Sequence, residues 1–237
     1  MGAMFEELDY RVTPMGPISL RRRRVLSLGM DVFEVMLGDE HLMSTLFTEG
    51  EVALATLGLA ATPGEGLAVV VGGLGLGYTA RAALDDPRVS EVLVIDYMEA
   101  VIDWHRQGLV PLGHGLATDP RCRLVQGDFF AMAQETGFDP DAPGRLFDAV
   151  LLDIDHSPRA LLNAAHGGFY AAAGLAAMAR QIRPGGVFAL WSDEAPDPVF
   201  EDALAQVFAR REATVVSFPN PITGGESSCT IYVARVA

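Results

Sequence analysis

The spacing of apolar and polar positions changes character at position 67. Residues 67–71 are all apolar and mostly small or β-branched, a run without alternation, as expected of a strand buried on both faces in a parallel sheet. The run breaks into Gly72, Gly73, Gly75 and Gly77, and over 78–84 the apolar spacing becomes helical. This alternation recurs along the chain. It predicts strands at 67–72, 91–96, 123–125, 147–153 and 186–191, with helices at 78–84, 98–109, 129–136, 168–182 and 197–211. The last helix shows its period in Phe200, Ala203, Leu204, Val207 and Phe208. Turn residues fill the gaps at 85–87, 139–143 and 183–186. Two further strands, 213–218 and 229–236, flank a Pro- and Gly-rich turn. Successive βα units followed by a hairpin imply an α/β fold: a mainly parallel sheet with an antiparallel edge strand.

Residues 1–62 read as a small β-layer, set apart from a larger unit at 63–237. A strand-like run at 18–27 carries Arg21 to Arg24, which suits an edge strand or an ion-paired surface better than a nucleic-acid patch in so acidic a chain. Residues 32–37 and 41–45 form a hairpin around Gly38, Asp39 and Glu40. Thr48 and Glu51 have the spacing of a capping box for a helix over 52–61, which Thr62, Pro63 and Gly64 end.

Composition narrows the function. The formal charge of −14 argues against a nucleic-acid backbone as partner and favours neutral or cationic substrates. There is no lysine, which excludes lysine Schiff-base chemistry. Two cysteines are too few for a disulfide framework or a zinc site, and His105, His114 and His166 are too scattered for a metal triad. The acidic first ten residues lack the order of a signal peptide, and no apolar run reaches the length of a membrane span. A cytoplasmic protein without a metal or membrane partner is expected.

Strand, glycine turn and helix bring backbone amides close to a ligand, and ligands in such sheets bind beyond the carboxyl ends of the strands. Gly73, Gly75 and Gly77 are spaced G-x-G-x-G, which misses the dinucleotide fingerprint and looks more like the nucleoside turn of S-adenosylmethionine enzymes. A tight turn without a ligand is the plainer alternative. Asp96 follows the second strand, placed to chelate ribose hydroxyls or simply to start a helix. Asp128 follows the third, able to accept from an adenine amino group under Phe129 or Phe130, or to cap the next helix. Asp153, Asp155 and His156 follow the fourth and are the strongest catalytic candidates. Trp191, Asp193 and Glu194 follow the fifth; the indole could wall the pocket.

Over 67–194 these pieces resemble the catalytic domain of spermidine synthases. The resemblance is carried by the glycine loop at 71–77, the stretch 94–102 around Asp96, the run 119–128 ending in Asp128, the strand 147–153, and Phe169 with Tyr170. It implies a Rossmann-like, seven-stranded sheet, a decarboxylated S-adenosylmethionine site and a homodimer. Asp96 would be the ribose acid, Asp128 the adenine acid and Asp153 the proton acceptor, with Tyr170 or His156 orienting a small-molecule amine. Carboxylates at 153, 155, 193 and 194 would hold a distal ammonium. The chain departs from the family pattern in having Leu76 where an acid helps hold the donor's ammonium, in lacking the Tyr-His-Glu element near residue 51, and in placing His156 where a second aspartate stands. Leu76 motivates a second reading, methyl transfer from S-adenosylmethionine, whose carboxylate would need a partner such as Arg81. A third is a non-catalytic nucleoside binder.

Overall fold

The computed structural model describes residues 4–135 and 137–237. Residues 1–3 of the acidic start, and residue 136 closing the helix expected over 129–136, lie outside them.

Four strands, β1 (Phe5–Thr13), β2 (Gly16–Val25), β3 (Met30–Leu37) and β4 (Glu40–Ser44), form an antiparallel meander in that order. The arginine run lies on β2, which is not an edge: β1 and β3 flank it with acids. Arg21 meets Glu7 at 3.8 Å, Arg22 meets Glu6 at 2.6 Å, Arg23 meets Glu34 at 2.7 Å and Arg24 meets Asp31 at 3.2 Å. The four charges are thus balanced within the small sheet. Helix α1 (Glu49–Ala61) follows and leaves that sheet, packing on the second one. A side chain at Gly58 would press into Leu151, so glycine permits the close approach.

The second sheet has seven strands: β5 (Leu67–Gly72), β6 (Val89–Asp96), β7 (Cys122–Gln126), β8 (Phe147–Leu152), β9 (Ile182–Ser192), β10 (Arg210–Asn220) and β11 (Gly225–Arg235). Their spatial order is β10-β11-β9-β8-β5-β6-β7. Strands β5 to β9 pair in parallel; β11 runs antiparallel to both β9 and the outermost β10. This is the Rossmann-like mixed sheet expected, with the antiparallel pairing confined to the closing hairpin. The unalternating apolar runs are explained by burial on both faces. Val69, Val71, Val92 and Val94 face one core with α1, whereas Val70, Leu93, Ile95, Val150 and Leu152 face the other.

Between the strands lie α2 (Tyr78–Asp85), α3 (Glu99–Arg106), α4 (Gly113–Thr118), α5 (Phe129–Gln134), α6 (Ala172–Ala179) and α7 (Pro198–Ala205). Strand β1 and helix α4 had no clear period in the sequence. The helix expected over 168–182 begins only at Ala172, after a 3-10 turn at Ala164–Gly168. The turn expected at 183–186 is a bulge inside β9, where Gly185 takes φ +76°. No helix among the described residues is long and apolar enough to cross a membrane.

Candidate active site

A crevice of about 620 Å³ opens over the carboxyl ends of β6, β5, β8 and β9 and is roofed by the four-stranded sheet. The glycine loop between β5 and α2 forms its floor. Gly73, Gly75 and Gly77 have φ of +93°, +47° and +94°, a left-handed region open to glycine at little cost. Each is also hemmed in by the protein itself. A Cβ at Gly73 would collide with the Asp153 carbonyl oxygen, one at Gly75 with the Met43 sulfur, and one at Gly77 with Leu116. The roof touches the loop directly, because the Leu76 amide donates to Met43 Sδ at 3.1 Å. Leu76 itself points into the core and does not line the crevice; Leu74 does.

At the β6–β7 end, Asp96, Asp128, Phe129 and Phe130 all line the crevice. Asp96 accepts the Leu74 amide at 2.9 Å and the Met98 amide at 2.8 Å, so it fixes both the loop and the start of α3. Burial raises its pKa against the pull of these amides. Asp128 caps α5, its Oδ1 accepting from Phe130 and Ala131 at 2.9 and 3.1 Å. The plainer capping roles are therefore real, and both carboxylates still face the crevice. Phe129 is a core ring, 5.0 Å from Phe138; the ring more freely presented is Phe130, stacked on His166 at 3.9 Å.

At the β8–β9 end stands Asp153. The Thr79 hydroxyl of α2 donates to its Oδ2 at 2.7 Å. Burial lifts the Asp153 carboxyl to about 6, while the Thr79 bond opposes the rise. Facing it is Glu51, a residue sequence reasoning assigned elsewhere. The expected capping box is not formed: Thr48 makes no side-chain cap, and its amide donates instead to Glu49 at 3.0 Å. Glu51 is left free to enter the crevice, where burial and the Asp153 charge push its carboxyl to about 8. Two desolvated acids oppose each other here, and no arginine lines the crevice. Arg81 is tied to Asp85 at 2.7 Å, away from the site. His156 lines the crevice too, 2.8 Å from Glu40 at the start of β4, so it links the loop after β8 to the roof. Trp191 and Asp193 complete this end.

The structure separates Asp155 and Tyr170 from the crevice. Asp155 is buried behind it, accepting the Tyr170 hydroxyl at 2.8 Å, His166 Nδ1 at 3.0 Å and the Leu162 amide at 2.7 Å. It organises the loop after β8 and is not part of the crevice lining. Tyr170, 6% exposed and held by Asp155, is a core residue. Glu194 is exposed and outside the crevice lining. His166 lines the crevice. His105 is fully buried, its Nε2 2.9 Å from the Gly75 carbonyl, and burial lowers its pKa. Trp104 is core as expected, with its indole N–H donating to Asp9 at 2.7 Å. Among the described residues no cluster of three His, Cys, Asp or Glu could hold a metal ion.

The Glu51 carboxyl gives the ligand-free protein a testable pH dependence. Its raised pKa means the folded chain holds the proton more tightly than the unfolded chain between pH ~4.5 and ~8. Stability therefore falls as pH rises through that window. In Glu51→Gln the fall in thermal midpoint between pH 5 and pH 8 should be smaller than in the parent, as read by thermal unfolding. An identical slope would show that Glu51 is not desolvated.

No protein-family model matches the chain. Solved structures do. The crystal structure of spermidine synthase from Thermotoga maritima matches with a TM-score of 0.70 at 16% identity, covering 98% of this chain and 72% of that one. A spermidine synthase in complex with the transition state analogue AdoDATO matches with a TM-score of 0.72 at 18% identity, covering 98% and 74%. The chain has the spermidine synthase fold, with the seven-stranded sheet and the preceding β-layer both inside the matched length.

Proposed function

We propose that this chain is a transferase of the spermidine synthase kind, moving an aminopropyl-type group from decarboxylated S-adenosylmethionine to a small-molecule amine. The observation that carries the reading is the Glu51–Asp153 carboxyl pair, desolvated in a crevice with no arginine in a chain with no lysine. Such a site favours cations. It offers ammonium groups two carboxyl partners and offers the carboxylate of S-adenosylmethionine itself no arginine or lysine. Leu76 motivated methyl transfer by the loss of an acid, but Leu76 faces the core, and an acid enters the crevice from α1 instead.

In this reading Asp96 grips the ribose, and Asp128 takes the adenine with Phe130 as the covering ring. The incoming ammonium gives a proton to Asp153. The freed nitrogen lone pair attacks the methylene carbon bonded to sulfur; the C–S bond breaks, its electron pair stays on sulfur, and a neutral thioether leaves. Alignment of nitrogen, carbon and sulfur is where most of the acceleration arises, worth roughly 7–11 kcal/mol when complete. Neighbouring carboxylates ordinarily hold an amine as ammonium. Here burial opposes that tendency, because it raises the pKa of both Glu51 and Asp153 and makes Asp153 a stronger base than a solvated aspartate. Thr79 fixes one Asp153 oxygen and leaves the other for the amine. His156 lines the same site and can orient it. With this reading go a homodimer in the cytoplasm and no nucleic-acid or membrane partner.

Calorimetric titration with the two donors tests it. The decarboxylated donor should bind at least ten-fold tighter than S-adenosylmethionine. The reverse preference would favour methyl transfer, and retention of a nucleoside without turnover of any amine would favour a non-catalytic binder.

A further inference from the structure

We infer that His166 reads the nucleobase: with Asp128 it supplies a pair of hydrogen-bond acceptors for the exocyclic amino group of an adenine. The inference rests on the transferase reading and concerns the nucleoside end of the crevice. His166 belongs to the 3-10 turn at Ala164–Gly168, and the chemistry described above leaves it unused. Its ring stacks on Phe130 with centroids 3.9 Å apart at 22°, so it stands beside the ring assigned to the base. It lines the crevice together with Asp128. Its backbone is held as well: the amide donates to the Asn163 carbonyl at 2.9 Å, and the carbonyl accepts the Phe169 amide at 2.9 Å.

The tautomer follows from what lies behind the ring. Asp155 has a fully buried side chain that accepts the Tyr170 hydroxyl at 2.8 Å and the Leu162 amide at 2.7 Å, and both its oxygens lie 3.0 Å from His166 Nδ1. Nδ1 therefore carries the hydrogen and donates it, which leaves a lone pair on Nε2. Among the described residues nothing bonds to Nε2. Asp128 spends its Oδ1 on the cap of α5 and keeps Oδ2 for a ligand. A 6-amino group has two hydrogens, one for each of these acceptors. A 6-oxo group would set a third acceptor against the two and leave all of them unpaired.

The test titrates the full chain by calorimetry with 5′-methylthioadenosine and with its 6-oxo counterpart, 5′-methylthioinosine. The parent should bind the amino form at least a hundred-fold tighter. His166→Phe keeps a ring to stack on Phe130 but has no acceptor, and it should cut that ratio at least ten-fold. Asp155→Asn puts a donor where an acceptor oxygen stood and so releases the tautomer. It should lower the ratio in the same direction with His166 still in place, and it carries the test if His166→Phe fails to fold. A role confined to packing the loop would weaken both nucleosides alike and leave the ratio unchanged. An unchanged ratio in the folded variants, or a parent that binds both forms equally or prefers the 6-oxo form, overturns this inference and leaves aminopropyl transfer standing. Failure to bind either nucleoside removes the transferase reading, and the inference with it.

Discussion

Asp153→Asn should reduce kcat/KM by roughly 10²–10⁴-fold, the range for loss of a positioned general base, while donor affinity changes by less than about three-fold. The amide is nearly isosteric with the acid and still accepts the Thr79 hydroxyl, so the loop geometry is kept. It cannot take a proton from the incoming ammonium. The substitution also removes one of two acids that burial has desolvated beside each other, so the variant should unfold no earlier than the parent at pH 8. Steady-state kinetics, donor calorimetry and a thermal scan read the three parts separately. Turnover within ten-fold of the parent would remove Asp153 from the proton-transfer role.

The second large effect is expected from Gly73→Ala. Alanine at φ +93° costs about 1–2 kcal/mol for the left-handed backbone alone. Its methyl would also collide with the carbonyl oxygen of Asp153, so relief must move the floor, the loop after β8 or both. Donor affinity should fall more than ten-fold, and the thermal midpoint should drop. Gly66→Ala is the matched control: φ is +67° and nothing lies within 4 Å, so only the backbone cost applies and donor binding should survive. If both variants lose the same stability and both bind donor normally, the glycine loop is not tied to the site in the way described.

Much of the fold was legible because strands buried on both faces leave an unbroken apolar run, as at 67–71, that no surface helix imitates. Asp96, Asp128 and Asp153 were placed for a related reason: each follows a strand, and the topology sends the ends of parallel strands to one crevice. Glu51 was not. An acid three residues after Thr48 has the spacing of a helix cap, and only the approach of α1 to β8 and β9 turns it toward Asp153. Asp155 misled in the opposite direction. It stands two residues from Asp153, but β8 ends at Leu152, and beyond a strand the alternation of faces no longer holds. The chain there folds back, and Asp155 finds Tyr170 and His166 instead of solvent. His105 stands four residues after Val101 on the buried face of α3, so the helical spacing does place it toward the core.

The contacts between roof and floor bear on how such a protein could be recombined. Glu40 meets His156, Met43 Sδ accepts from the loop, and α1 brings Glu51 beside Asp153. A chimera joined at residue 62 would inherit a crevice whose two halves were never fitted to each other. Any graft that hopes to change the acceptor while keeping the donor must carry Glu40, Met43 and Glu51 along with the loops they meet.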